Sequence, residues 1–153
     1  MRRAICLSIA VITSALVAGC EPEDRTPGLW LSGTEQSFPA DWGFTRAHRE
    51  IALEVNTPYL VSHSITIWCV ELDGDLYIAA GNPVSKNWPG WVDDDPNVRL
   101  KIGEDIFEAR LVPLDDDEHI MRVRAVQASK YDRDPPSGPT TSRFWIVEAR
   151  ARA

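Results

Sequence analysis

Two apolar, β-branched runs face each other across a single Asp-Gly pair, and few folds accommodate that arrangement. Ile65-Thr66-Ile67-Trp68-Cys69-Val70 leads into Leu72-Asp73-Gly74-Asp75, and Leu76-Tyr77-Ile78-Ala79-Ala80 leads away. Asp-Gly tolerates the positive φ angles of a two-residue hairpin turn, so the flanking runs are expected to pair antiparallel. Upstream, Ile51, Leu53 and Val55 alternate with Glu50, Ala52 and Glu54, the pattern of a half-buried strand. Downstream, Val98-Arg99-Leu100-Lys101-Ile102 alternates, Gly103-Glu104 turns, and residues 106–112 alternate back. Residues 142–149 supply a final strand. Six strands at these lengths predict an antiparallel barrel or sandwich. The run at 64–72 is apolar enough to be buried on both faces, with Trp68 and Trp145 in the core.

Two helices are expected among the strands, a short one over 41–48 and a longer one over 116–131. Asp115-Asp116-Asp117-Glu118 opens the longer one, where carboxylates cap free N–H groups and complement the positive helix end. A calcium loop would need Asp-x-Asp-x-Asp-Gly and a distal Glu, which this run lacks. Asp93-Asp94-Asp95 before Pro96 is read as a capped turn on a solvated face.

The N-terminus carries a different message. Met1-Arg2-Arg3 precedes an apolar run over residues 4–18, long enough for a signal peptide and short for a transmembrane helix. Leu16-Val17-Ala18-Gly19-Cys20 then resembles the lipobox of bacterial lipoproteins, which implies cleavage before Cys20 and a lipid on its sulfur. By the same resemblance, Glu21 points to an outer membrane facing the periplasm if the source is Gram-negative. The expected organisation is a signal peptide over 1–19, a lipidated N-terminus and tether over 20–40, and one domain over 41–153. The Leu29-Trp30-Leu31 patch within the tether is expected to dock on that domain. The chain already carries a net charge of −7, and losing Arg2 and Arg3 makes it more acidic. An acidic body repels a phosphate backbone, so nucleic acid is not an expected partner.

Cleavage removes Cys6 and acylation occupies Cys20, leaving Cys69 without an intramolecular disulfide partner. Inside its apolar run, Cys69 reads as a small buried residue rather than a nucleophile. One free Cys and three scattered His (His48, His63, His119) do not make a zinc site, so no metal is expected.

A longer order of pieces is informative. After Leu72-Asp73-Gly74-Asp75 and the strand ending in Ala79-Ala80 come Ser85-Lys86-Asn87-Trp88 and Trp91. Asp95-Pro96-Asn97-Val98-Arg99-Leu100 and Ile102-Gly103-Glu104 follow. This stretch resembles the flavin-binding split β-barrels of the pyridoxamine 5′-phosphate oxidase superfamily, its deazaflavin-dependent nitroreductase-like members above all. The resemblance implies a mainly β, α+β fold: a six-stranded antiparallel split barrel of Greek-key type with one or two helices. It also implies FMN or a deazaflavin as cofactor, oxidoreductase chemistry, and a homodimer with the cofactor at its interface. In such proteins the ring lies along the second strand, here Ser64, Ile65, Thr66, Ile67 and Trp68. Ala79 and Ala80 give the ribityl side close approach, Ser85 and Lys86 hold the phosphate, and Trp88 or Trp91 stacks on the ring. Relatives that hold FMN tightly tend to start the second strand with arginine, where this chain has His63 and Ser64. No acid or base is singled out; Tyr131, His63 and His119 are candidates by elimination.

Six tryptophans in 153 residues support a second class, a cofactor-free binding or interaction module. Trp88 and Trp91 flank Pro89-Gly90, read as a turn, where their rings would grip a ligand or partner or else fold over the barrel end. A hydrolase has no Gly-x-Ser-x-Gly elbow or paired carboxylates behind it.

Overall fold

The computed structural model describes residues 28–150; the lipobox, Cys20 and the start of the tether lie outside them. Seven strands and two α-helices follow one another: β1 (Thr34–Gln36), β2 (Glu50–Val55), β3 (His63–Leu72), β4 (Asp75–Ala80), α1 (Trp88–Asp94), β5 (Asn97–Ile102), β6 (Asp105–Pro113), α2 (Asp117–Lys130) and β7 (Arg143–Ala149). The six expected strands are all present. They close a barrel in the order β6-β5-β2-β3-β4-β7, with β7 returning to β6. The connection from β4 to β5 crosses the barrel end through α1, which produces the Greek-key order.

Local chemistry explains the turns. Asp73 and Gly74 take φ of 57° and 92°, the two left-handed positions the β3–β4 hairpin needs. Gly103, at φ 62°, does the same between β5 and β6. The Asp116 carboxylate caps α2 by accepting the His119 N–H at 2.6 Å.

Inside the barrel, Leu53, Cys69, Leu76, Ile78, Leu100, Ala109 and Trp145 are buried together. Outside, α2 lays Val123 against Val70, Tyr77 and Phe144 and covers β3, β4 and β7. The other outer face, over β2 and β5, is crossed by residues 28–36. Gly28 exchanges backbone hydrogen bonds with Ser64 at 2.8 and 3.0 Å. Leu31 is buried, while Leu29 and Trp30 stay half-exposed. β1 then lies parallel to β6, from Thr34 opposite Asp105 to Gln36 opposite Phe107. β7 takes the same side of β6 further on, from Ala109 to Pro113.

Four expectations need correction. β1 is a seventh strand, in a polar Thr-Glu-Gln segment with no alternation to betray it. The short helix at 41–48 is a 3-10 turn over Gly43–Ala47. The Trp88–Trp91 segment is the first turn of α1: Pro89 presets a helical φ without needing an N–H partner, and Trp88 and Val92 fall on one inward face. Finally, β3 is buried on both faces only near Cys69–Glu71; Trp68 sits half-buried on the outside, stacked on Tyr131 at 4.2 Å.

Tyr131 ties α2 to β3 through its hydroxyl. Its hydroxyl accepts the Cys69 N–H at 3.0 Å and lies 2.6 Å from the Arg49 carbonyl oxygen and 2.8 Å from that of Cys69, as donor to one of them. Lys130 adds its ammonium to the carbonyls of Thr45 and Cys69. Burial pushes the Cys69 thiol up, against the pull of Lys130, and pushes the Tyr131 hydroxyl up as well. At alkaline pH both groups stay protonated in the folded chain and ionise on unfolding, so their contribution is complete below the unfolded pKa values and is lost as pH rises from those toward the folded ones. The urea midpoint is therefore expected to hold through neutral pH and fall above about pH 9, steepening near 10. A Cys69→Ala, Tyr131→Phe double variant should flatten that alkaline slope, and a slope left unchanged would refute the assignment.

Candidate functional site

The barrel is split on the β4 side of β3. β3 pairs with β2 along His63–Trp68 but with β4 only from Cys69 to Leu72. Over the unpaired stretch β4 leaves β3 and follows β7, as far as Ala80 opposite Arg143. Hydrogen-bonding direction alternates along a strand, and Ser64 turns both its backbone groups to Gly28, away from β2. Thr66, two residues on, therefore turns its N–H and C=O the same way, into the gap.

That gap is an open cleft of about 520 Å3. Ile65, Thr66, Ile67 and Ala79 form its strand walls. Lys86, Asn87, Trp88 and Trp91 close it from the β4–β5 connection, and Tyr59 and His63 close it from the β2–β3 loop. Trp88 is only 5% exposed and leans on Trp145 at 5.0 Å, so it belongs to the core and shows the cleft one edge. Trp91 is half-buried and meets the rings of Tyr59 at 5.8 Å and His63 at 5.3 Å, both edge-on. The Lys86 ammonium is exposed and donates to the Gly81 carbonyl at 2.9 Å. A second cleft of about 370 Å3 adjoins across Trp91 and carries Asp94 and Asp95. For Asp95, desolvation is outweighed by hydrogen bonds from Asn97 and Asn56, which hold its carboxyl below the usual range. Chemically, the larger cleft offers apolar walls, one strand edge and one cation: a place for a flat ring pinned by backbone.

The solved structures that resemble this fold include a conserved hypothetical protein from Mycobacterium tuberculosis, 17% identical, with a TM-score of 0.56 over 71% of this chain and 77% of that one. A candidate pyridoxamine 5′-phosphate oxidase from Listeria innocua is 14% identical, with a TM-score of 0.53 over 66% and 83%. A candidate 5-nitroimidazole antibiotic resistance protein from Bacteroides thetaiotaomicron is 10% identical, with a TM-score of 0.56 over 84% and 90%. This chain has their fold. It is the split barrel that the order of sequence pieces resembles. No protein-family model matches the sequence, and no curated protein matches it.

Of the residues expected at a split-barrel site, Ile65, Thr66, Ile67, Ala79, Lys86 and Trp88 line one cleft. The others lie elsewhere. Ser64 is buried beside Gly28, Trp68 stacks on Tyr131, Ala80 points into the core, and Ser85 gives its hydroxyl to the Asn82 carbonyl. His63 reaches the cleft. Tyr131 and His119 do not: His119 bonds the Tyr77 hydroxyl at 2.9 Å under α2. Tyr59 and Asn87 were not foreseen. A lone aromatic after Pro58 carries no periodic signal, and Asn87 shows itself only by standing beside Lys86. Among the described residues there is no cluster of three or more metal-ligating side chains and no helix long and apolar enough to cross a membrane.

Proposed function

We propose that this protein binds a flavin or deazaflavin in the cleft between β3 and α1 and serves as an oxidoreductase. The observation that carries the reading is the gap itself, an apolar cleft with an open strand edge in a split barrel. A bound flavin would supply hydride or electron transfer. The chain's part is binding: the Thr66 backbone to pin a ring edge, Ile65, Ile67 and Trp88 to exclude water, and Ala79 to allow close approach.

The test is an absorption spectrum of the purified chain, followed by titration with FMN, riboflavin and a deazaflavin. Thr66→Phe, on the outer face at the cleft wall, is expected to weaken flavin binding at least tenfold while shifting Tm by no more than a few degrees. A colourless protein that ignores every flavin would overturn the reading. It would favour the second one, a cofactor-free binding module, which rests on Trp91 standing between two clefts with Tyr59 and His63 against it.

The same proposal includes a lipid on Cys20, attachment to the outer membrane on its periplasmic side if the source is Gram-negative, and a homodimer. The lipobox-like Leu16-Val17-Ala18-Gly19-Cys20 supports the first and Glu21 the second. The mass of the mature N-terminal peptide tests the anchor, and light scattering tests the dimer.

A further inference from the structure

A flavin mononucleotide has two parts to recognise, a flat ring and a phosphate dianion, and the cleft provides for them unequally. On the ring side there are apolar walls and the Thr66 strand edge. On the phosphate side the surroundings are poor. Lys86 is the one cationic side chain lining the cleft among the described residues; it is exposed and already bonded to Gly81. Ser85 has committed its hydroxyl to Asn82. Two nearby amides are also engaged, Ser85 N–H with the Asn82 carbonyl at 3.2 Å and Lys86 N–H with that of Pro83 at 3.1 Å. Neither of these two N–H groups is free to join a nest around an anion. Arg143, opposite Ala80, grips Asp93 with two nitrogens at 2.7 and 2.8 Å. Asp94 and Asp95 stand in the adjoining cleft, across Trp91. An added dianion would meet one screened ammonium and two nearby carboxylates in a chain of net charge −7.

We infer that the cleft reads the flavin ring and not the phosphate, so that its ligand class is flavins irrespective of a charged tail, riboflavin as readily as the mononucleotide. The inference rests on the flavin reading above. A true phosphate clamp, built from charge-assisted donors, would favour the mononucleotide by at least about tenfold. One exposed ion pair gives at most about fivefold, and salt erodes it.

The experiment titrates the full-length chain, purified in neutral detergent, with riboflavin and FMN by flavin fluorescence at low and physiological salt, and repeats both with Lys86→Ala. Dissociation constants within about fivefold of each other, little changed by salt, by Lys86→Ala or by excess inorganic phosphate, are the expected result. An FMN preference of tenfold or more that Lys86→Ala or salt abolishes would overturn the inference and leave the flavin reading standing. A tenfold preference that survives Lys86→Ala would overturn it equally, by revealing another anion site. Binding of neither flavin would overturn both.

Discussion

Replacing Trp145 by alanine is expected to cost about 3–5 kcal/mol, the usual range for emptying a fully buried aromatic site. Trp145 has no exposed surface, packs on Trp88, and carries the Arg143 guanidinium 4.8 Å from its ring. Its loss would leave a cavity where β7 joins β4 and would remove the support of the cleft's inner wall. For a domain of this size that is a fall in Tm of about 10 °C or more. Trp145→Phe separates volume from polarity. The indole Nε1 is buried without a hydrogen-bond partner among the described residues, so phenylalanine loses packing but also removes an unsatisfied donor. About 1–2 kcal/mol is expected for it. Equal losses for the two variants in urea unfolding would refute this account.

Arg99→Ala is expected to cost about 2–4 kcal/mol and to loosen the segment that crosses the sheet. Glu54 is a strand residue that should face solvent by alternation, yet it is 7% exposed because residues 28–36 cover it. Its carboxylate accepts the Leu31 N–H at 2.7 Å and an Arg99 nitrogen at 2.9 Å. Arg99 also bonds the Leu31 carbonyl at 3.1 Å and Glu35 at 2.7 Å. Removing the arginine leaves a covered carboxylate without its cation, which is why the cost exceeds that of an ordinary surface pair. Limited proteolysis should then cut within residues 28–36 faster than in the parent chain. Glu54→Gln keeps an acceptor for Leu31 and should cost less. A strap that resists protease after Arg99→Ala would show that β1 pairing alone holds it.

Much of the barrel was legible because its signals are local. Asp73-Gly74 and Gly103 announce hairpins through φ angles that other residues resist, and Ile51, Leu53 and Val55 show their face by period. Asp116 marks the start of α2 by the same logic. What stayed hidden depends on partners far along the chain. β1 is a strand because β6 offers it an edge, and Glu54 is buried because Leu31 and Arg99 come to it. Pro89-Gly90 looks like a turn until Trp88 is seen packing on Trp145. The cleft falls between these cases. Ile65, Thr66, Ile67 and Ala79 could be placed by the order of pieces, whereas Tyr59 arrives from a loop whose path no pattern encodes.

The position of β7 has a consequence for the order of assembly. Among the described strands β7 alone bridges β4 to β6, so until residues 143–149 are in place two edges stand open, each a template for stray pairing. The cylinder cannot be completed until residues 143–149 have left the ribosome. With Tyr77 meeting Ile146 and Trp145 meeting Pro113, its closing contacts are also remote in sequence, which places it among slow-folding topologies. The fold therefore waits for residues 143–149, and for as long as it waits β4 and β6 stand open to stray pairing.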